Sequence, residues 1–221
     1  MTRLCSVHNC TKHVSGYSPL CEMHKRNQRR HGHPEQRGVT AHDLRPFQYS
    51  VTARRAKNPT NPTWPLLERR WEALTGHAAA TLAGYSGGSP AVSYERQTAE
   101  QLLSLRDTVH GEVVIDTSLA MYAMWEQRPS QFRSDRAFNF QLARRVRGLA
   151  PANTSSHWSE KDGRTKTTFR DTPPRVLECL AASLGQAFGV VGLKLAGLEI
   201  QEAADGRSER DQLQAALREM K

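Results

Sequence analysis

Four metal-ligating residues lie close together near the N-terminus, and they constrain the fold more than any other feature of the chain. They are Cys5, Cys10, Cys21 and His24, in the spacing Cys-x4-Cys-x10-Cys-x2-His. Thiolates and imidazole are the ligands that tetrahedral Zn²⁺ prefers, and four of them close a structural site without an open position for catalysis. A segment of about 30 residues buries too little apolar surface to fold unaided. The spacing therefore predicts a zinc-stabilised module over residues 1–36.

The residues between the ligands predict how the two halves of the site meet. Cys5 and Cys10 flank a tight turn, whereas Cys21 and His24 are one helical turn apart. The Gly-Tyr-Ser-Pro sequence at residues 16–19 is typical of a loop that reverses the chain. We therefore expect this loop to bring the second pair of ligands back to the first.

Other histidines and cysteines provide alternatives to this ligand set. His8 and His13 are rival ligands, but His8 lies between the first two cysteines, where it would crowd a full site, so we expect it at the surface. Cys179 lies in an apolar helical run and is expected to be a packed free thiol. The alternative to a metal site is a set of ordinary thiols in a reducing cytosol.

A basic run follows the last ligand directly and is predicted to continue its helix. The residues in this run that we expect to contact nucleic-acid phosphates or lie beside them are Lys25, Arg26, Arg29, Arg30 and His31. A metal-stabilised helix that presents several cations favours a polyanion as its partner.

The same segment carries a family resemblance. The residues that carry it are Cys5-Ser6-Val7-His8-Asn9-Cys10, Gly16-Tyr17-Ser18-Pro19-Leu20-Cys21-Glu22-Met23-His24, and then Arg26, Arg29, Arg30, His31, Gly32 and Pro34. They resemble a small zinc module at the N-terminus of proteins from bacteriophages and other bacterial mobile elements, including some HNH homing endonucleases. The resemblance covers about the first 35 residues, and it implies that the module holds zinc and helps to grip DNA.

The remainder of the chain departs from those endonucleases. We find no His-Asn-His arrangement flanked by the strands that such a nuclease needs, so the resemblance does not imply nuclease activity. Isolated acid–base pairs occur without a nucleophile motif or a second carboxylate cluster, namely His42 with Asp43, His110 with Asp116, and His157 with Glu160. The sequence favours a protein without catalytic residues, and a DNA endonuclease with an unrecognised active site is the first alternative.

Charge is segregated along the chain. Residues 1–70 contain 13 Lys and Arg against four Asp and Glu, whereas residues 71–221 contain 18 of each sign, so the net charge of +9 lies wholly in the first third. Such a segregated basic segment indicates a nucleic-acid partner. Charge alone does not distinguish the two polymers, but the few aromatic residues in this segment make DNA the expected partner and RNA the alternative. Within residues 37–62, the predicted contacts are Arg37, Arg54 and Arg55.

Two prolines separate a predicted basic helix from the rest of the chain. Residues 40–57 are predicted to form a helix, and Pro59 and Pro62 cannot continue it because they lack amide donors. We therefore divide the chain into a zinc module (1–36), a basic helix with a Pro-rich linker (37–62) and a mainly helical domain (63–221). The fold class is mainly α, with a zinc-binding module before a helical domain that contains one β-hairpin.

Apolar residues at helical spacing predict the elements of the third part. We expect helices over 63–82, 93–109, 117–126, 134–149 and 174–188, a resumed helix from 190 that Gly206 ends, and a terminal helix over 208–220. Residues 113–115 are either a short strand or the lead into the third of these helices. Asp162-Gly163 predicts a hairpin turn between residues 157–160 and 166–170.

The helix over residues 134–149 is the second predicted contact with nucleic acid. Its candidates are Arg136, Asn139, Arg144 and Arg147, because Asn and Arg read base edges and Arg binds phosphate. The alternative is that the cations at its end complement the helix dipole.

The sequence lacks an apolar N-terminal stretch and an uninterrupted membrane span, so we expect a cytoplasmic, nucleoid-associated protein in a bacterial host cell. The expected function is a DNA-binding accessory or regulatory protein of a bacteriophage or other mobile element. The second alternative is a transcription regulator that docks on a host protein such as RNA polymerase. A recombination or replication factor is another candidate partner.

Overall fold

Two short strands and one helix form the N-terminal module. In the computed structural model, which describes residues 3–14, 16–88 and 92–219, strand β1 (Arg3–Leu4) pairs antiparallel with β2 (His13–Val14). Side chains are described in these ranges except at residue 167 and at residues 210–219. Helix α1 (Glu22–His31) follows, and Gly32 ends it in the left-handed conformation.

Helix α2 (Ala41–Lys57) confirms the predicted helix and its start. The Thr40 hydroxyl accepts a hydrogen bond from the Asp43 amide, and the Asp43 carboxylate accepts one from the Thr40 amide, so both groups are satisfied at the helix start. Its apolar side (Leu44, Phe47 and Val51) is buried in the same core as the later helices. Residues 41–57 therefore pack with the helical domain.

The helical domain is built from six further helices in the described part of the chain. They are α3 (Thr63–Ser86), α4 (Ser93–Thr108), α5 (Gly111–Gln127), α6 (Asp135–Arg147), α7 (Pro174–Leu184) and α8 (Val190–Glu219). This arrangement confirms the mainly α fold class. The alternative of a strand at residues 113–115 is wrong, because these residues lie in the first turns of α5, where Val114 and Ile115 are fully buried.

Helix α5 runs through the centre of the domain and packs against α2, α3, α6 and α8. It is apolar on nearly every side, which is typical of a buried helix, and Leu119, Met121 and Met124 have no exposed surface. A Cβ atom at Gly192 would lie 2.7 Å from the Tyr122 ring, so glycine allows α8 to approach α5 closely.

The C-terminal helices differ from the prediction in one respect. A single π-helical turn (Gly185–Gly189) joins α7 to α8, near the predicted break, but α8 then continues through Gly206. The prediction that Gly206 ends a helix is wrong, because the cost of about 1 kcal/mol for an interior glycine does not outweigh the helix-forming residues around it. Most side chains of the predicted terminal helix over residues 208–220 lie outside those that the structure describes.

Helices α7 and α8 also form a long apolar unit. The stretch Pro174–Glu209 is long and apolar enough to cross a membrane by length and composition, although half of its most apolar part is buried in the protein. A core helix of a soluble protein meets the same criterion.

The predicted hairpin is present between α6 and α7. Strands β3 (Thr154–Ser159) and β4 (Arg164–Phe169) pair antiparallel, with Trp158 opposite Thr165, and Gly163 takes a positive φ in the turn. At its base, Phe169 occupies the space that a side chain at Gly148 would need. The hairpin is thereby anchored to the end of α6, while Trp158 near the turn is 63% exposed.

Candidate metal centre and basic surface

The four predicted ligands come together at the start of α1. Their ligand atoms all lie within 4.8 Å of one another: the Cys5 and Cys21 sulfurs are 3.2 and 3.4 Å from the His24 Nδ1, and the Cys10 and Cys21 sulfurs are 4.0 Å apart. A tetrahedral Zn²⁺ with Zn–S bonds of about 2.3 Å places two sulfurs about 3.8 Å apart. Cys5, Cys10, Cys21 and His24 are therefore close enough to hold a metal ion, and their geometry is consistent with zinc.

Backbone hydrogen bonds position the candidate ligands independently of a metal ion. The Cys5 amide donates to the Lys12 carbonyl at 3.0 Å across the strand pair, and the Cys10 amide donates to the Val7 carbonyl at 3.1 Å within the tight turn. The Ser6 amide donates to the Pro19 carbonyl at 2.9 Å, which joins this turn to the loop before α1. The loop thus returns the chain as predicted.

The apolar core of the module is very small. Cys5, Cys21 and Leu20 are its buried apolar residues among those described, with Val7 and Val14 partly buried around them. Two of the three buried residues are themselves ligands. Such a core contributes little hydrophobic stabilisation, so a bound metal would have to supply much of the stability of this module.

The thiols differ in proton affinity. Burial raises the pKa of Cys5, but the amide of Cys21 and a hydrogen bond with His24 outweigh it and lower the pKa to about 6. The pKa of Cys10 is raised, despite a hydrogen bond from the Lys12 backbone, by burial and by the neighbouring Cys5 and Cys21 thiols. The lowered pKa of the Cys5 thiol favours its thiolate, which is the form that binds a cation.

The rival ligands lie apart from this cluster. His8 is exposed, as predicted, and His13 is exposed on β2. Cys179 is a free, partly buried thiol on α7, as predicted.

Helix α1 has an inward and an outward face. The inward face carries the ligand His24, then Asn27, which donates to the Pro34 carbonyl at 3.0 Å, and finally His31. The outward face carries Arg26 and Arg29, which are exposed and have no ion-pair partner among the described residues. Because residues three apart on a helix are neighbours, Arg26 and Arg29 lie side by side on the face opposite His24 and are directed toward solvent.

Two other cations of α1 have acidic partners. Lys25 is 2.7 Å from Glu22 on the same helix, and Arg30 forms a two-point ion pair with Asp171 at 3.1 and 3.2 Å. Exposed pairs of this kind contribute at most about 1 kcal/mol, so both side chains can exchange these partners for a phosphate.

The module docks on α6 through polar contacts. A Cβ atom at Gly32 would lie 2.8 Å from the Arg136 carbonyl oxygen, and His31 Nδ1 lies 3.1 Å from the Gln141 amide nitrogen. The Gln36 side chain is buried and bonds the backbone of Gln131 and of Arg133. Burial lowers the pKa of His31 to about 4, with smaller contributions from Arg144 and Arg30. His31 is thus an interface residue that is neutral at pH 7.

The predicted contacts on α2 have a structural role in this conformation. Arg54 pairs with Glu199 and Glu202 of α8, both at 2.6 Å, and Arg55 pairs with Asp116 of α5. These acidic partners lie in residues 71–221, where acidic and basic residues are equal in number. The charge count along the sequence therefore does not reveal that they neutralise cations of α2. Arg37, by contrast, is exposed.

The predicted contacts on α6 lie in different environments. Asn139 is exposed, Arg136 is exposed but 2.8 Å from Glu178, and Arg144 is half-buried. Arg147 is only 2% exposed and donates to Asn153 and to the Arg170 carbonyl, both at 2.9 Å. Arg147 thus joins the end of α6 to the hairpin and is not available at the surface.

Arg145 is not among the contacts predicted from the sequence. Arg145 is half-buried beside Arg144, and its Nε is buried without a hydrogen-bond partner. Arg144 and Arg145 line the same groove. Because consecutive residues of a helix normally point about 100° apart, their adjacency in the sequence does not predict this arrangement.

Comparison with known proteins finds no protein family, no curated protein and no solved structure that matches this chain.

Proposed function

We propose that this protein binds DNA through a zinc-stabilised module and acts as an accessory or regulatory factor of a bacteriophage or other mobile element. Zinc, held by Cys5, Cys10, Cys21 and His24, is the proposed structural ion. The mobile-element role rests on the resemblance of the first 35 residues alone. The DNA-binding role has independent support from the surface of α1.

The observation that carries the proposal is the pair of unpaired arginines on α1. Arg26 and Arg29 project from a 10-residue helix whose opposite face holds the metal ligand and the domain interface. Because the helix backbone that carries these cations is already ordered, phosphate binding does not have to order it. A solvated basic arm would lack this orientation.

Other cations of residues 1–70 also favour the surface of α1 as the site of phosphate contacts. Ion pairs with acidic residues occupy Arg54 and Arg55, whereas Arg26 and Arg29 on the module have no such partner among the described residues. Arg37 adds an exposed cation after α1, and Lys25 and Arg30 have exposed partners that a phosphate can replace. DNA remains the proposed polymer.

The experiment is a salt titration of DNA binding by the full chain. Fluorescence anisotropy with a random duplex, at about 50 to 200 mM salt, gives the slope of log K against log salt. We expect Arg26→Gln combined with Arg29→Gln to weaken binding and to lower the magnitude of the slope by about 2, because each lost phosphate contact removes about 0.9. Zinc content should not change.

The matched control removes two charges elsewhere. Arg69→Gln combined with Lys194→Gln changes exposed cations on α3 and α8 and should leave the slope unchanged. Equal slopes for the wild type and the α1 variant would refute the assignment of phosphate contacts to α1. The same duplex, incubated with Mg²⁺ and examined for cleavage, tests the endonuclease alternative.

A further inference from the structure

A groove lies where the connector after the module, helix α6 and the base of the hairpin meet. Its volume is about 430 Å³, and its lining includes Thr40, Ala41, Arg144, Arg145, Thr154 and Phe169. Small-molecule sites commonly have volumes of about 300–1,000 Å³. The groove is therefore large enough for an anion together with the group to which that anion is attached.

Two arginines share this groove. The guanidinium carbons of Arg144 and Arg145 lie 5.5 and 6.0 Å from the centre of the Phe169 ring. Consecutive helix residues usually diverge, so the single ring at the base of the hairpin brings the two cations into one place. The charge of Arg145 contributes to the lowered pKa of Arg144, so the two cations repel each other, and an anion bound beside both would offset this repulsion.

No acidic side chain in the described part of the chain forms an ion pair with either arginine. Asp171 attracts Arg144 but is already bound by Arg30, and Asp43 attracts Arg145 but is already bound by Thr40. The Nε of Arg145 is buried without a hydrogen-bond partner. The pKa of both guanidinium groups is lowered, and burial is the largest cause of this shift. Half-buried cations without an ion-pair partner are costly, so an anion bound in the groove would stabilise them.

We propose that this groove is a phosphate-ester site in which Arg144 and Arg145 bind the phosphate oxygens. Planar guanidinium groups match phosphate bidentately, and two of them match the charge of a phosphate monoester or of two adjacent phosphodiesters. The site deepens the proposed function, on which the choice of phosphate over other anions rests. The ester is either a strand of nucleic acid or a free nucleotide, and the two share this chemistry.

The test uses the 221-residue chain and three probes: inorganic phosphate, a nucleoside 5′-monophosphate and the random duplex. Calorimetry at constant ionic strength gives the affinities, and thermal melting gives the stabilisation by each probe. We expect saturable binding of the monophosphate, a higher melting temperature when it is bound, and at least about a tenfold loss of affinity in Arg145→Gln. Arg69→Gln, which removes one arginine of α3 outside the groove, should bind like the wild type.

A second variant keeps the test decisive if Arg145→Gln does not fold. Thr154→Glu places a carboxylate on the lining of the groove, so it should raise the melting temperature without ligand and weaken monophosphate binding at least about tenfold. A lower melting temperature with unchanged phosphate binding would overturn the proposal. So would equal affinity of Arg145→Gln and Arg69→Gln for all three probes.

The duplex arm distinguishes the source of the phosphate. Weaker duplex binding in Arg145→Gln, with competition by the monophosphate, identifies a nucleic-acid strand as the ligand. Unchanged duplex binding alongside lost monophosphate binding identifies a free nucleotide, and both results support the site. If the wild type binds the monophosphate but not the duplex, the proposed DNA-binding function fails while the phosphate site stands.

Discussion

Cys21 is the residue on which the module depends most. Its sulfur lies within 4.0 Å of the Cys10 sulfur and 3.4 Å from His24 Nδ1, its amide contacts the Cys5 sulfur at 3.3 Å, and it also takes the N-cap position of α1. One position therefore joins the metal ligands to the basic helix.

We expect Cys21→Ser to abolish metal binding and to unfold the module while α5 and its neighbours stay folded. A serine hydroxyl is a poor zinc ligand, and the module has little apolar core to replace the metal. Metal analysis should show loss of bound zinc, and limited proteolysis should cut within the first 35 residues. Cys179→Ser, the control, should keep its zinc. Unchanged zinc content in Cys21→Ser would disprove the ligand assignment.

His31 makes the docking of the module sensitive to pH. Its pKa in the folded chain, lowered to about 4 chiefly by burial, lies below the ordinary value of 6.5. As pH falls from 6.5 to 4, the unfolded chain takes up a proton that the folded chain does not, so the free energy of unfolding falls.

We expect His31→Asn, which keeps an acceptor for Gln141, to lose less stability than the wild type over this pH window. Urea unfolding at pH 7 and at pH 5 measures the difference, and protonation of the zinc ligands is common to both proteins. The variant should be the less stable protein at pH 7, with the gap narrowing or reversing at pH 5. A constant gap would exclude His31 as the titrating group.

At the scale of the elements, the end of α1 sets how the module meets α6. Gly32 has a φ of 80° and lies against the Arg136 carbonyl, so glycine is required both for the backbone conformation and for the close approach. The turn glycine Gly163 also has a positive φ, of 57°, but no atom lies within 4 Å of a Cβ placed there.

We expect Gly32→Ala to destabilise the protein by about 2 kcal/mol or more, because it adds a steric clash to left-handed strain. Gly163→Ala should cost only the strain, about 1 to 2 kcal/mol. Chemical denaturation of both variants isolates the contribution of the contact. Equal losses would mean that α1 does not pack on α6 as described.

At the scale of the whole molecule, helix α2 belongs to the core of the helical domain. Leu44, Phe47 and Val51 are at most 4% exposed, and Arg54 and Arg55 pair with acidic residues of α8 and α5. Removing this helix opens the core and leaves those acidic residues without partners.

A truncated chain that begins at Trp64 should therefore fail to fold cooperatively. Loss of three large buried side chains costs about 2 to 5 kcal/mol each, against a total stability of about 5–15 kcal/mol. A chain that begins at Gln36 keeps α2 and should melt cooperatively. Near-ultraviolet circular dichroism and thermal melting compare the two, and a native-like melt of the shorter chain would contradict the shared core.

The sequence predicts much of this fold because local patterns determine most of it. The period of apolar residues locates the helices, Thr40 and Ser134 mark helix starts, and Asp162-Gly163 marks the hairpin turn. The clustering of the four metal ligands also follows from short spacings.

Contacts between distant parts of the chain were not predictable in the same way. The pairing of Arg54 with Glu199, the burial of Arg147 and the shared groove of Arg144 and Arg145 depend on which helices pack together. A count of charges treats a buried arginine and an exposed one alike. The sequence therefore predicts that the protein has a basic surface, but not which arginines and lysines lie on it.

The metal ligands and the docking contacts of the module lie at very different distances along the chain. Cys5 and His24 are 19 positions apart, whereas Gln141 is 110 positions beyond His31 and Asp171 is 141 beyond Arg30. At synthesis rates of about 5–20 residues per second, several seconds or more separate completion of the ligand set from completion of its docking partners. During that interval the nascent chain can take up its metal at the ribosome, with Arg30 not yet paired to Asp171. The proposed zinc site is thus complete before the module docks, and the orientation of the module is acquired only when the rest of the polypeptide has emerged.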